Sequence, residues 1–255
     1  MSKIAQGAES EWFGGWNTNV QQDANNTVNQ VTQTGALPVF VVYNIPNRDC
    51  GGYSQGGAST SDQYKQWIDQ MAAGIGNRKA AIILEPDATA LTSCLSSTDL
   101  QTRNSLLQYA VNKFKQNGQS VYIDAGHPGW ISPSDMASRL KQAGIDQADG
   151  FALNVSNFNT TNENITYGTQ ISALTGGKHF VIDTGRNGNG SNGEWCNPSG
   201  RALGQLPTTS TGNPLVDALL WVKGPGGSDG NCNGGPNAGV FWPQYALTLA
   251  QNTSW

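Results

Sequence analysis

The chain has 255 residues, enough for one large domain or two small ones. Only 13% of them are charged and the net charge is −4, which leaves little field to steer nucleic acid or an anionic membrane. No apolar run is long enough to span a bilayer, and the start carries no signal-peptide pattern.

Short apolar runs recur along the chain: EWFGGW (11–16), LPVFVVYN (37–44), AAIILE (80–85), SVYIDA (120–125), GFALNV (150–155), HFVIDT (179–184) and DALLWVK (217–223). They are nearly continuous in apolar residues rather than alternating, as strands buried on both faces are. Helical stretches lie between them. Residues 61–77 put Tyr64, Trp67, Ile68 and Met71 on one face. Residues 97–118 do the same with Leu106, Tyr109, Ala110 and Phe114, open on a Ser/Thr/Asp cluster and end at Gly118. Residues 132–144 open on Ser-Pro and end at Gly144. The βαβα alternation has no break that looks like a linker. It predicts one parallel-stranded α/β domain over residues 1–255, with 1–10 read as a trimmed or stub N-terminal end.

The strand ends carry the functional signal. Six of the seven runs end in or just before a polar group: Tyr43 with Asp49, Glu85 with Asp87, Asp124, Asn154, Asp183 and Lys223. In α/β barrels the site is built at the C-terminal ends of the strands, and carboxylates gathered there suit general acid/base chemistry. The two histidines, His127 and His179, lack metal-ligand spacing, and no dinucleotide, P-loop or G-x-S-x-G signature is present. Neither a metal nor a cofactor is expected. Eight tryptophans in a chain of modest apolar content exceed the needs of a core, and an exposed indole suits the flat face of a sugar ring. Four cysteines, at 50, 94, 196 and 232, form no C-x-x-C pair. They allow two disulfides in three possible pairings, which suits an oxidising compartment and a secreted, extracellular protein.

Seven motifs occur in order: VVYNIPNRDC (41–50), ILEPDA (83–88), VYIDAGHPGW (121–130), LNVSNFN (153–159), IDTGRNGNG (182–190), EWCNPSGRALG (194–204) and LLWVKGPGGSDG (219–230). Together they resemble glycoside hydrolase family 6, the inverting β-1,4-glucanases, over residues 11–250. The resemblance implies a distorted seven-stranded parallel β/α barrel, the pairings Cys50–Cys94 and Cys196–Cys232, and no cofactor. Short loops after Cys50 and Asp229 imply an open cleft. The implied activity is an endo-β-1,4-glucanase acting on cellulose or cello-oligosaccharides, as a monomer with no nucleic-acid or membrane partner. A catalytically weak β-glucan-binding protein and a cellobiohydrolase are the alternatives.

The resemblance also implies roles. Asp87 would be the general acid, aimed by the turn at Pro86, with Glu85 structural. Asp49 would raise the Asp87 pKa and help hold the water, against the plainer reading of an ion pair with Arg48. Asp229 is the candidate base, with a water string to Asp49 as the other route for the proton. Arg48 and Lys223 would keep Asp229 ionised. Asp124 would act beside the acid, and Tyr43 would crowd the sugar at the bond being cut. Trp12, Trp130 and Trp195 match sugar-stacking positions, and His127, Asn154 and Lys223 match hydroxyl contacts. One departure is Gly227, where the family pattern has a glutamate.

Overall fold

Each apolar run is a strand in the computed structural model, which describes residues 2–255. The strands are β1 (Glu11–Phe13), β2 (Val39–Val42), β3 (Ala81–Leu84), β4 (Ser120–Asp124), β5 (Gly150–Leu153), β6 (His179–Asp183) and β7 (Val216–Leu220). They form one sheet in chain order, every pair parallel. The sheet curls towards closure. Its first and last strands approach through a single parallel bridge between Glu9 and Trp221, with Ser10 N donating to Trp221 O at 3.0 Å.

Period-2 geometry sorts the strand residues into two cores. Phe40, Val42, Ile82, Leu84, Val121, Ile123, Phe151, Leu153, Phe180 and Ile182 pack outwards with helix residues such as Met71 and Leu106. Val41, Ile83, Tyr122, Ala152 and Val181 pack together inside the curled sheet. Register stacks them in layers: Trp12 opposite Val41, Val41 opposite Ile83, Ile83 opposite Tyr122. Gly150 continues the Tyr122 row because a Cβ there would lie 2.0 Å from the His179 carbonyl.

The helices are α1 (Val20–Gln33), α2 (Ser61–Ile75), α3 (Ser97–Gln116), α4 (Pro133–Ala143), α5 (Thr161–Leu174) and α6 (Pro243–Asn252). Asn19, Thr60, Ser96, Ser132 and Thr160 cap the first five by accepting from an N-terminal backbone N–H. Such a cap contributes about 1 kcal/mol. At α5, Glu163 answers back to the Thr160 backbone and completes a capping box. These caps set where each connection ends, and so how much chain is left free at the strand C-termini. The disulfides are Cys50–Cys94 and Cys196–Cys232, each tying a loop at that end.

Candidate active site

Strand β1 and the loops after β2 to β7 line an open cavity of about 810 Å³. Trp12, Tyr43, Asp49, Asp87, His127, Trp130, Trp195, Lys223 and Asp229 all line it. Asp124, Asn154 and Arg48 do not.

Asp87 follows β3 on a sharp turn. Glu85 and Asp87 both have positive φ, +52° and +69°, around Pro86. Such values are uncommon for non-glycine residues and tend to gather at functional sites. The turn is held at both ends. The buried Glu85 carboxylate accepts from Asn44 N and Ile45 N at 3.0–3.1 Å, and Asp87 N donates to Asp124 Oδ2 at 2.9 Å. Glu85 is therefore a clamp between β3 and the segment after β2, and the Asp87 carboxyl is left to the cleft. Burial, and then the Asp49 charge, push Asp87 up to about 7, with Lys223 opposing. Asp124 is buried; burial and the neighbouring Asp87 charge raise it well above the usual carboxylate range. Its Oδ1 has no hydrogen-bond partner among the described residues.

Across the cleft, Asp229 has the opposite environment. Arg186 grips both its oxygens at 2.9 Å, Asn197 N donates at 3.0 Å, and Lys223 Nζ lies 3.6 Å away. Burial pushes its pKa up, but Arg186 and Lys223 outweigh burial and hold it below the usual range. Desolvation lowers the Lys223 pKa, and its ammonium also donates to Ser228 O at 3.0 Å.

Two expectations need correction. Arg48 does not pair with Asp229 or with Asp49. Its guanidinium donates to the carbonyls of Tyr43 (2.6 Å), Ser54 (2.8 Å) and Gln55 (3.3 Å), and so fastens the loop that carries Asp49. The Asp49 carboxylate accepts instead from Ser54 N at 2.7 Å. The cation on Asp229 is Arg186, a residue within the IDTGRNGNG motif to which no role had been assigned. Nothing in the sequence distinguishes Arg186, paired with a carboxylate, from Arg48, which is also buried but satisfied by carbonyls. The second correction is Asn154, which is fully buried and makes no cleft wall. Its amide donates to Asp183 O (2.9 Å) and Asn159 O (3.1 Å) and accepts from Asn159 N (3.1 Å), so it shapes the loop after β5.

The remaining groups face the cavity. Tyr43 is buried beneath Trp12 in an edge-to-face pair at 5.3 Å. Burial and the Asp87 and Asp49 charges raise its phenol, so it stays neutral. Trp12 is fixed by its Nε1–H to Val222 O at 2.8 Å. His127 Nδ1 lies 2.8 Å from Pro128 O, and burial lowers its pKa. A carbonyl only accepts, so Nδ1 carries the proton and Nε2 is free to accept. Trp195, 58% exposed, meets Tyr53 at 6.0 Å where the two disulfide-tied loops approach. Gly227 has no side chain to offer. A Cβ there would lie 3.1 Å from Lys223 Cε, so the lysine stem occupies the flank of that gap. Among the described residues no group of three or more His, Cys, Asp and Glu side chains could hold a metal ion.

The chain is similar to known proteins over its whole length. The family model described as glycosyl hydrolases family 6 matches residues 1–253. Endoglucanase A of Cellulomonas fimi is 49% identical over 100% of this chain. The chain spans only 56% of that relative's length. The 1,4-β-D-glucan cellobiohydrolase CEL6B of Podospora anserina is more distant, 32% identical over 88% of this chain and 66% of its own. Among solved structures, the endoglucanase Cel6 of Mycobacterium tuberculosis superposes with a TM-score of 0.96 at 47% identity, covering 98% of this chain and 88% of that one. It was solved with methyl-cellobiosyl-4-deoxy-4-thio-β-D-cellobioside bound.

Proposed function

The chain belongs to glycosyl hydrolases family 6, and from that premise we propose that it is an inverting endo-β-1,4-glucanase whose general acid is Asp87. One observation carries the reading. Two carboxyls face one cleft with their pKa values pushed apart, Asp87 up to about 7 and Asp229 down. Such a split assigns the protonated group to acid work and the ionised one to charge stabilisation.

Asp87 gives its proton to the glycosidic oxygen as the bond from that oxygen to the anomeric carbon breaks. A water forms the new bond to that carbon from the opposite face, which inverts it. The water's proton leaves towards Asp49 through solvent. Asp229 is a poor acceptor because Arg186 occupies both its oxygens; its charge stabilises the oxocarbenium-like centre. Tyr43 stays neutral beside the reacting ring, and Trp12, Trp130 and Trp195 stack on glucosyl units along the cleft. His127 and Lys223 contact sugar hydroxyls, and Asp124 holds the acid's backbone. The endo mode is supported by the higher identity to endoglucanases than to cellobiohydrolases. The two disulfides support an extracellular site of action.

Anomer-resolved NMR of cellohexaose hydrolysis tests this. The expected result is internal cleavage with the α-anomer appearing first. A β-anomer as first product, or release of cellobiose alone from one end, overturns it.

A further inference from the structure

Of the tryptophans that do not line the cleft, Trp16 is the most exposed. It lies three residues beyond β1, on the same rim as the acid, and 53% of its surface is exposed. It is nonetheless fixed in place. Its six-membered ring folds back over Gly14, where a Cβ would come within 2.4 Å of it. The Arg48 guanidinium sits 5.3 Å from its ring centroid. The same guanidinium lies 4.6 Å from the Tyr43 ring, and Tyr43 meets Trp12 edge-to-face at 5.3 Å. A continuous file thus runs from the cleft wall to the rim: Trp12, Tyr43, Arg48, Trp16. Arg48 is anchored by three carbonyls, so the outermost indole is backed by a rigid cation. More than half its surface is open.

A tryptophan that served only the core would be covered, whereas this one is exposed and held against Gly14 and Arg48. We propose that Trp16 is an outer sugar-binding platform, on which a glucosyl unit stacks after the β-1,4-glucan chain has left the cleft past Trp12. The proposal rests on the β-glucan reading given above. The occupant is a further unit of the same substrate chain, because the aromatic file leads into the cavity that chain fills. An uncharged pyranose face matches the exposed part of an indole. The platform adds affinity for chains long enough to reach it and leaves the bond-breaking groups untouched.

Isothermal titration calorimetry on the inactive Asp87→Ala protein reads this directly. Cellotriose and cellohexaose are titrated with Trp16 intact, with Trp16→Ala and with Trp16→Phe. The expected result is that Trp16→Ala shrinks the affinity gained from cellotriose to cellohexaose by about fivefold, and that Trp16→Phe restores most of it. If Trp16→Ala weakens both sugars equally, Trp16 acts only by supporting Arg48 and its loop, and the platform is overturned. An unchanged cellohexaose affinity overturns it too. If neither sugar binds with Trp16 intact, the β-glucan reading itself fails, and the platform with it.

Discussion

The two walls of the cleft are built from the same residue type and reach opposite electrostatic states. On the β3–β4 side Asp87 and Asp124 are raised, both first by burial, then Asp87 by the Asp49 charge and Asp124 by the Asp87 charge. On the β6–β7 side Asp229 is lowered, although it too is buried. Asp183 isolates the reason. Its oxygens accept from the backbone N–H groups of Ser156, Gly185, Val222 and Lys223, yet burial still raises it. Backbone donors, with Arg186 acting only from a distance, do not offset burial there, whereas Arg186 in direct contact, with Lys223 beside it, does at Asp229. The anion wall therefore differs from the acid wall by cations set against its carboxylate, Arg186 foremost and Lys223 beside it.

The first way to break the contrast is to remove the acid. Asp87→Ala should lower kcat on carboxymethylcellulose by about 10²–10⁴-fold while the circular dichroism spectrum is unchanged. Removing the cation comes next. Arg186→Met leaves Asp229 buried without its main partner, and urea unfolding should show a loss of about 3–5 kcal/mol. Adding Asp229→Leu should recover most of that loss, since the uncompensated charge is then gone as well.

A smaller effect sharpens the contrast from the acid side. Asp49→Asn deletes the like charge that helps to raise Asp87, so the Asp87 pKa falls. The acid is then deprotonated at lower pH, and the alkaline limb of kcat/KM should move towards acid. A limb that stays where it is would show that burial alone sets the acid.

The smallest effect is on stability. Asp87 is raised to about 7, so between its unfolded value of 3.8 and about 7 the folded chain binds more protons than the unfolded one. Its contribution is fully present at low pH and declines as pH rises through that window. Asp229 works in the opposite sense, contributing above 3.8 and losing that contribution as pH falls through its lowered folded value. Urea midpoints taken from pH 4 to 8 should fall less steeply in Asp87→Asn than in the parent protein.

Much of this was legible in the amino-acid sequence, for physical reasons. All seven strands announced themselves because parallel strands with both faces buried are continuous apolar runs. Helices α2 to α4 carried strong stripes and caps. Helix α1 was hidden in VQQDANNTVNQVTQ, where only Val20, Ala24 and Val28 are buried, a stripe one residue wide. Helix α5 was masked by β-branched residues and by Gly168, which is small because the Phe180 ring lies against it. In the site, the motifs carried Asp87, Asp49, Asp229, Trp130 and Trp195, and the fold brings them together with Trp12 on one cavity. They could not choose between Arg48 and Arg186. Arg186 and Asp229 are 43 residues apart, and their meeting depends on how the loops after β6 and β7 fold over one another. Asn154 misled for a related reason. A strand-end amide looks the same in sequence whether it faces a ligand or, as here, the backbone of its own loop.

The near-closed sheet has a mechanical consequence. Six of its seams are parallel ladders, and opening any of them breaks several hydrogen bonds at once. The seventh, between the flanks of β1 and β7, has no ladder and is held by one bridge between Glu9 and Trp221 and by the indole bond from Trp12 to Val222 O. The sheet is thus a split ring rather than a hoop. The β1–β7 seam, held by the fewest ladder bonds, is the place where the ring opens most easily.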